Sequence, residues 1–160
     1  MKSIYKNYFR KNKNADPILE TIENVAVFEN LSQKELYEIV RLTHQRDYKK
    51  DESIFKKNAP AEGMYVLLDG AVDIFEPDSN TILTTFKSGD FFGELALIDE
   101  EPRMASAIAT ESSKLIGFFR TDLLTLMKRS PELGNVILMN ISRILGERLR
   151  KTNEELTKNN

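Results

Sequence analysis

The sequence predicts an α+β fold: an antiparallel, jelly-roll-like β-roll of about eight strands, with helices before it and one long helix after it. Three observations predict this. Apolar residues recur at helical spacing over the first 45 residues, switch to short β-branched and aromatic runs from His44, and return to helical spacing after Thr121. Turn signals separate seven or eight such runs within roughly 75 residues, the pattern of a sandwich, jelly roll or barrel. No stretch repeats another, which sets aside solenoids and propellers.

Composition bounds the function. A chain of 160 residues fits one domain with terminal extensions. Its 41% hydrophobic residues suffice for a core, and its net charge of -2 gives no overall pull toward nucleic acid or acidic membranes. Cysteine is absent, which excludes disulfides, iron–sulfur clusters and thiolate chemistry. No apolar run reaches the about 18 residues of a membrane span, and the N-terminus lacks a signal-peptide core, so a cytoplasmic location is expected.

The elements follow in order. Residues 1–14 carry Lys2, Lys6, Arg10, Lys11 and Lys13 and no acid, with Ile4, Tyr5, Tyr8 and Phe9 at helical spacing. They predict a basic helical extension, residues 1–24. It reads either as a lead-in helix docking its aromatics or, less favoured, as a contact for a membrane surface or partner. Asp16-Pro17 is an N-cap with proline at the first helical position, opening a helix to about Val25. Ser32 to Glu35 form a capping box, backed by apolar Leu36, Ile39, Val40 and Leu42. Within the roll, residues 25–130, Asp69-Gly70 lies between Met64–Leu68 and Ala71–Phe75 and predicts a hairpin. Thr121 and Asp122 cap a helix to about Lys128, and Ser130-Pro131-Glu132 starts the C-terminal helix of residues 131–160.

That last helix predicts a partner. Leu138, Ile141, Leu145, Leu149, Thr152 and Leu156 form one stripe. Some 25 residues at about 1.5 Å each outrun the width of a β-roll. The far half therefore needs another surface, most simply a parallel two-fold homodimer. Thr152 is a polar interruption, read either as a hydrogen-bonding group for something buried or as part of a fraying end.

One segment, residues 89–107, breaks the strand pattern. Gly89 and Gly93 permit turns, and Leu95–Ile98 suit a single helical turn whose free N–H groups attract an anion. Arg103 is shaped to clamp a phosphate with parallel hydrogen bonds. Glu94, acceptor-only when ionised, suits a sugar hydroxyl and disfavours a highly charged ligand. On spacing alone a plain Glu–Arg salt bridge is the favoured reading.

Phe92-Gly93-Glu94-Leu95-Ala96-Leu97-Ile98 followed by Pro102-Arg103-Met104-Ala105-Ser106-Ala107 closely resembles the phosphate-binding cassette of cyclic-nucleotide-binding domains. These occur in regulatory subunits of cAMP-dependent protein kinase, cyclic-nucleotide-gated channels and bacterial catabolite activator proteins. The resemblance extends over residues 25–157. It implies that Glu94 holds the ribose 2′-hydroxyl and Arg103 the exocyclic phosphate oxygens, with backbone N–H groups around Gly93, Glu94, Leu95, Ala96 and Ala105 completing the cradle. Ala105 replaces a threonine of cGMP-preferring members, which favours cAMP while leaving cGMP compatible. Met104 replaces a phosphate-touching serine, at a cost of about 1 kcal/mol. Thr152 and Asn153 match a Thr-Ser pair of catabolite activator proteins that bonds the adenine edge. Those proteins continue into a helix-turn-helix domain, which this sequence up to Asn160 lacks, so direct DNA reading is not expected and the output is dimer rearrangement or a protein effector.

No catalytic set assembles. His44 is the only histidine, read as a surface or strand-edge residue, and Asp99, Glu100 and Glu101 make a solvated loop and no metal site. The expectation is a cAMP-binding sensor that is not an enzyme. The alternative is a scaffold that keeps the roll and binds no nucleotide, and intact Glu94 and Arg103 speak against it.

Overall fold

The computed structural model describes residues 16–158. The basic residues 1–14 lie outside the described residues, so their two readings are not addressed. Helix α1, Pro17–Glu23, starts as expected: the Asp16 carboxylate accepts the Ile18 N–H at 2.9 Å. It ends two residues before the expected Val25, and a 3₁₀ turn, Ala26–Phe28, follows. Helix α2, Gln33–Leu42, has the complete capping box. The Ser32 hydroxyl and N–H donate to Glu35 and hold its carboxyl below the ordinary value.

Eight strands follow: β1 His44–Tyr48, β2 Ser53–Phe55, β3 Gly63–Asp69, β4 Ala71–Glu76, β5 Thr81–Lys87, β6 Phe91–Phe92, β7 Ser106–Ala109 and β8 Ser113–Phe119. They form two antiparallel four-stranded sheets, ordered β1-β8-β3-β6 and β2-β7-β4-β5. Helices α3, Arg120–Arg129, and α4, Pro131–Lys158, close the chain. The α+β class, the eight-stranded roll and the long terminal helix agree with the sequence reading.

Asp69-Gly70 does not make a hairpin. β3 and β4 belong to different sheets, and the dipeptide is the corner between them. β4 pairs instead with β5 and β7. The corner is pinned from β8, whose Ser113 hydroxyl accepts the Ala71 N–H and bonds the Ala71 carbonyl, both at 3.2 Å. The Asp-Gly signal reports a tight turn only; which strands pair is decided by which faces are buried. Nor do Thr121 and Asp122 precede α3. Phe119 is the N-cap residue, and the Asp122 carboxylate reaches back to its N–H at 3.2 Å.

Two apolar cores result. The smaller lies between the sheets around Leu67, Val72, Phe92 and Leu115. The larger lies between the first sheet and the helices, joining Ile22, Phe28, Ile39, Phe118, Leu126 and Ile137. Phe28 and Phe118 meet edge to face there, 5.5 Å between ring centres. Leu19 and Ile22 of α1 belong to this core.

The buried line of α4 runs through Leu133, Ile137, Ile141 and Ile144, while Leu138 and Leu145 of the predicted stripe only flank it. Beyond Gly146 every described residue is exposed, Leu149 and Leu156 by 62% and 60%. A helix of 28 residues, about 42 Å long, outruns the body it packs on. Its base is tied to the 3₁₀ turn by the buried Asn140, whose Nδ2 donates to the carbonyls of Val27 at 3.1 Å and Glu29 at 2.9 Å. Arg143 pairs with the Glu29 carboxylate beside it. Asn140→Ala leaves two carbonyls without their donor and is expected to cost about 2 kcal/mol. Urea unfolding should show a lower midpoint with an unchanged slope.

Candidate functional site

The site begins where β6 leaves the sheet. Gly93 turns the chain at φ 79° and ψ 18°, a left-handed conformation, into the 3₁₀ turn Glu94–Leu97. A Cβ there would also stand 2.7 Å from an Arg103 nitrogen, so the turn and the arginine share that space. The first N–H groups of the turn, at Glu94 and Leu95, have no carbonyl within it to bond. Arg103 is fixed through its backbone: its N–H donates to Ala59 at 2.9 Å, and its carbonyl accepts from Asn58 at 2.8 Å.

Between these segments and the second sheet lies a cavity of about 390 Å³. Phe55, Ile74, Phe86 and Phe92 supply an apolar wall, and Glu94, Arg103 and Arg148 supply the charges. Gly93, Leu95, Ala96, Met104 and Ala105 also line it. Seven of the nine expected site residues are thus gathered around one cavity.

Arg103 is 7% exposed. Its Nη2 donates to the Gly63 carbonyl at 2.5 Å and its Nη1 to Gly93 at 3.4 Å, while its carbon lies 4.2 Å from the centre of the Phe55 ring. Its Nε has no partner among the described residues. Burial pushes the guanidinium below its ordinary pKa, against the opposing influence of Tyr65, Glu62 and Glu94. Glu94 is 3% exposed; one carboxylate oxygen accepts from Arg148, and the other has no partner among the described residues. A cation and an anion are therefore held out of water, each with one polar atom unanswered. Native structures leave few such atoms, and where they cluster they point to something that binds.

The sequence reading assigned Thr152 and Asn153 on α4 and gave Arg148 no role. From α4 it reaches the Glu94 carboxylate and rests 5.5 Å from the Phe91 ring centre. The only signal for it was its place one helical turn before Thr152. Thr152 and Asn153, by contrast, are exposed and do not line the cavity. The Thr152 hydroxyl donates to the Arg148 carbonyl within α4 at 3.0 Å. The apolar wall was missed as well, because Phe55 and Phe86 read as ordinary strand residues.

His44 lies on β1 with its Nε2 3.3 Å from Asp122, at the surface. Among the described residues no three of His, Cys, Asp and Glu come close enough to hold a metal ion, and no helix is long and apolar enough to cross a membrane.

A β-roll that buries a half-satisfied arginine and glutamate against an apolar wall is the arrangement found here. The chain belongs to the family of cyclic nucleotide-binding domains, whose model matches residues 45–130. It is 30% identical to a cyclic AMP receptor protein of Thermus thermophilus over 81% of this chain, a match that spans 60% of that relative. It is 32% identical to a cAMP-dependent protein kinase regulatory subunit of Aspergillus fumigatus, over 59% of this chain and 23% of that protein. A solved cyclic nucleotide-binding domain from Methylobacillus flagellatus has the same fold, with a TM-score of 0.76 at 22% identity over 90% of this chain and 83% of that one.

Proposed function

We propose that this chain is a cyclic-nucleotide sensor that favours cAMP and reports its ligand through α4. The observation that carries the reading is the pair of buried, unpartnered atoms, Arg103 Nε and Glu94 Oε2, at one cavity. Arg103 would take the exocyclic phosphate oxygens, and Glu94 Oε2 would accept from a ribose hydroxyl. The aromatic wall of Phe55, Phe86 and Phe92 suits a purine. Ala105 offers no hydroxyl to a guanine amino group, which favours cAMP. A scaffold without a ligand has no use for an arginine and a glutamate held buried at one cavity, which disfavours that alternative.

The tie from Glu94 to Arg148 supports the route of the signal. Glu94 can accept a sugar hydroxyl on one oxygen while the other keeps Arg148, so occupancy of the cavity and the position of α4 bear on the same carboxylate. The ligand shifts α4 only by the difference in its affinity for the two positions. Thr152 and Asn153 enter the proposal as base contacts made when the distal half of α4 closes over the cavity. The exposed Leu149 and Leu156 are proposed to pair with a second copy or a protein effector.

Titration calorimetry with cAMP and cGMP tests the binding. Micromolar or tighter cAMP binding, stronger than cGMP, is expected, and absence of heat with both after removal of co-purified ligand would overturn the reading. The route is tested at Arg148→Ala. With no native cysteine, Leu156→Cys accepts a single fluorophore. Its cAMP-induced change should be lost in Arg148→Ala, and affinity should fall by about tenfold as buried Glu94 loses its counter-ion. A full response in that variant would exclude Arg148 from the route.

A further inference from the structure

The cavity is lined by more negative than positive charge. Glu94, Asp99 and Glu101 stand against Arg103 and Arg148. Arg148 is engaged by Glu94, and two nitrogens of Arg103 are engaged by the Gly63 and Gly93 carbonyls. That leaves Nε without a partner among the described residues, and one further hydrogen on each of Nη1 and Nη2, as the donors of this one cation for an anion. Asp99 is half-buried and Glu101 exposed. Among the described residues neither carboxylate has an ion pair or a side-chain hydrogen bond to occupy it. Resting on the cyclic-nucleotide reading, we infer that Asp99 and Glu101 restrict the cavity to phosphodiesters with a single negative charge and turn away the dianionic monoesters that share their base and sugar.

The reason is the count of charges. A cyclic phosphodiester carries one negative charge throughout the neutral range, and Arg103 answers it. A nucleoside monophosphate adds most of a second charge at neutral pH, its second pKa being about 6. Among the described residues no further cation free of an ion pair lines the cavity to meet that charge, and two carboxylates that line it repel it. In a rim this wet, each repulsion is worth on the order of threefold in affinity. Ring-opening hydrolysis, the reaction class that consumes a cyclic phosphodiester, produces such a monoester. The site therefore discriminates between its ligand and that ligand's own breakdown product by charge.

The test is displacement of a bound fluorescent cAMP analogue by cAMP and by 5′-AMP, in the wild-type chain and in Asp99→Asn/Glu101→Gln. The ratio of the Kd for 5′-AMP to that for cAMP should fall about tenfold in the double variant, chiefly through tighter 5′-AMP. In the wild type, lowering the pH from about 7.5 to about 5.5 should move the ratio the same way, because only the monoester takes up a proton there. A ratio unchanged within twofold under both changes would overturn the inference and leave shape as the discriminator. Binding of neither nucleotide by the wild type would instead remove the reading of the site, and this inference with it.

Discussion

Arg103→Ala is expected to weaken cAMP binding by about a thousandfold, the largest effect of any single substitution at the site. Two charge-assisted hydrogen bonds to phosphate, each about 1.5–3 kcal/mol, account for most of it. The variant also leaves Glu94 facing the ligand's charge with no nearby cation except the one it already holds. Part of the loss is structural, since Arg103 anchors the cassette to the Gly63 carbonyl and covers the Phe55 ring. Arg103→Lys separates the contributions: it keeps the charge, loses the planar fork, and should fall between wild type and alanine. Calorimetry gives the affinities, and a thermal melt of the ligand-free proteins confirms that each variant is folded. Binding by folded Arg103→Ala within tenfold of wild type would mean that the phosphate is held elsewhere.

Gly63→Ala is expected to remove 3 kcal/mol or more of stability, at the upper end of about 1–3 for an overpacked site. A Cβ at this position would stand 2.4 Å from the Phe118 carbonyl oxygen and 2.7 Å from the Phe119 Cα. Both are backbone atoms of β8, the strand paired with β3, with Gly63 directly opposite Phe119. No side-chain rotation relieves such a contact; the two strands must part. Because the Gly63 carbonyl also receives Arg103, the damage reaches the cavity. Urea unfolding should show the lower stability. Whatever folds should bind cAMP more weakly than a core variant of equal stability loss, such as Leu126→Ala. Wild-type stability in Gly63→Ala would show that β3 and β8 approach less closely than described.

Legibility followed the range of the interaction. The caps of α1 and α2 were readable because capping joins residues two or three apart, so the local sequence carries the whole geometry. Spacing alone left the segment open to a plain salt bridge, and the resemblance supplied the cassette reading; Gly93, Glu94 and Arg103 lie within eleven consecutive residues and line one cavity. The Asp69-Gly70 hairpin failed because a tight turn is local whereas strand pairing is not, and burial placed β3 and β4 in different sheets. For α4 the periodicity was right and the buried line was displaced by about one residue. Leucines at 138 and 145 are as apolar as the isoleucines beside them, and only the facing surface chooses between them.

By itself, then, the sequence determined the order of the elements, the starts of α1, α2 and α4 and the residue types at the cassette, all properties of neighbouring residues. Tertiary structure alone decided what those residues face. It set Arg148 on a glutamate 54 positions earlier and drew a carbonyl from β3 to Arg103. It also walled the cavity with aromatic rings of β2, β5 and β6. The physical reason is desolvation: Glu94 and Arg103 carry the same side chains in any conformation. Only burial in a shared, half-satisfied cavity makes their unpartnered atoms costly enough to favour a ligand.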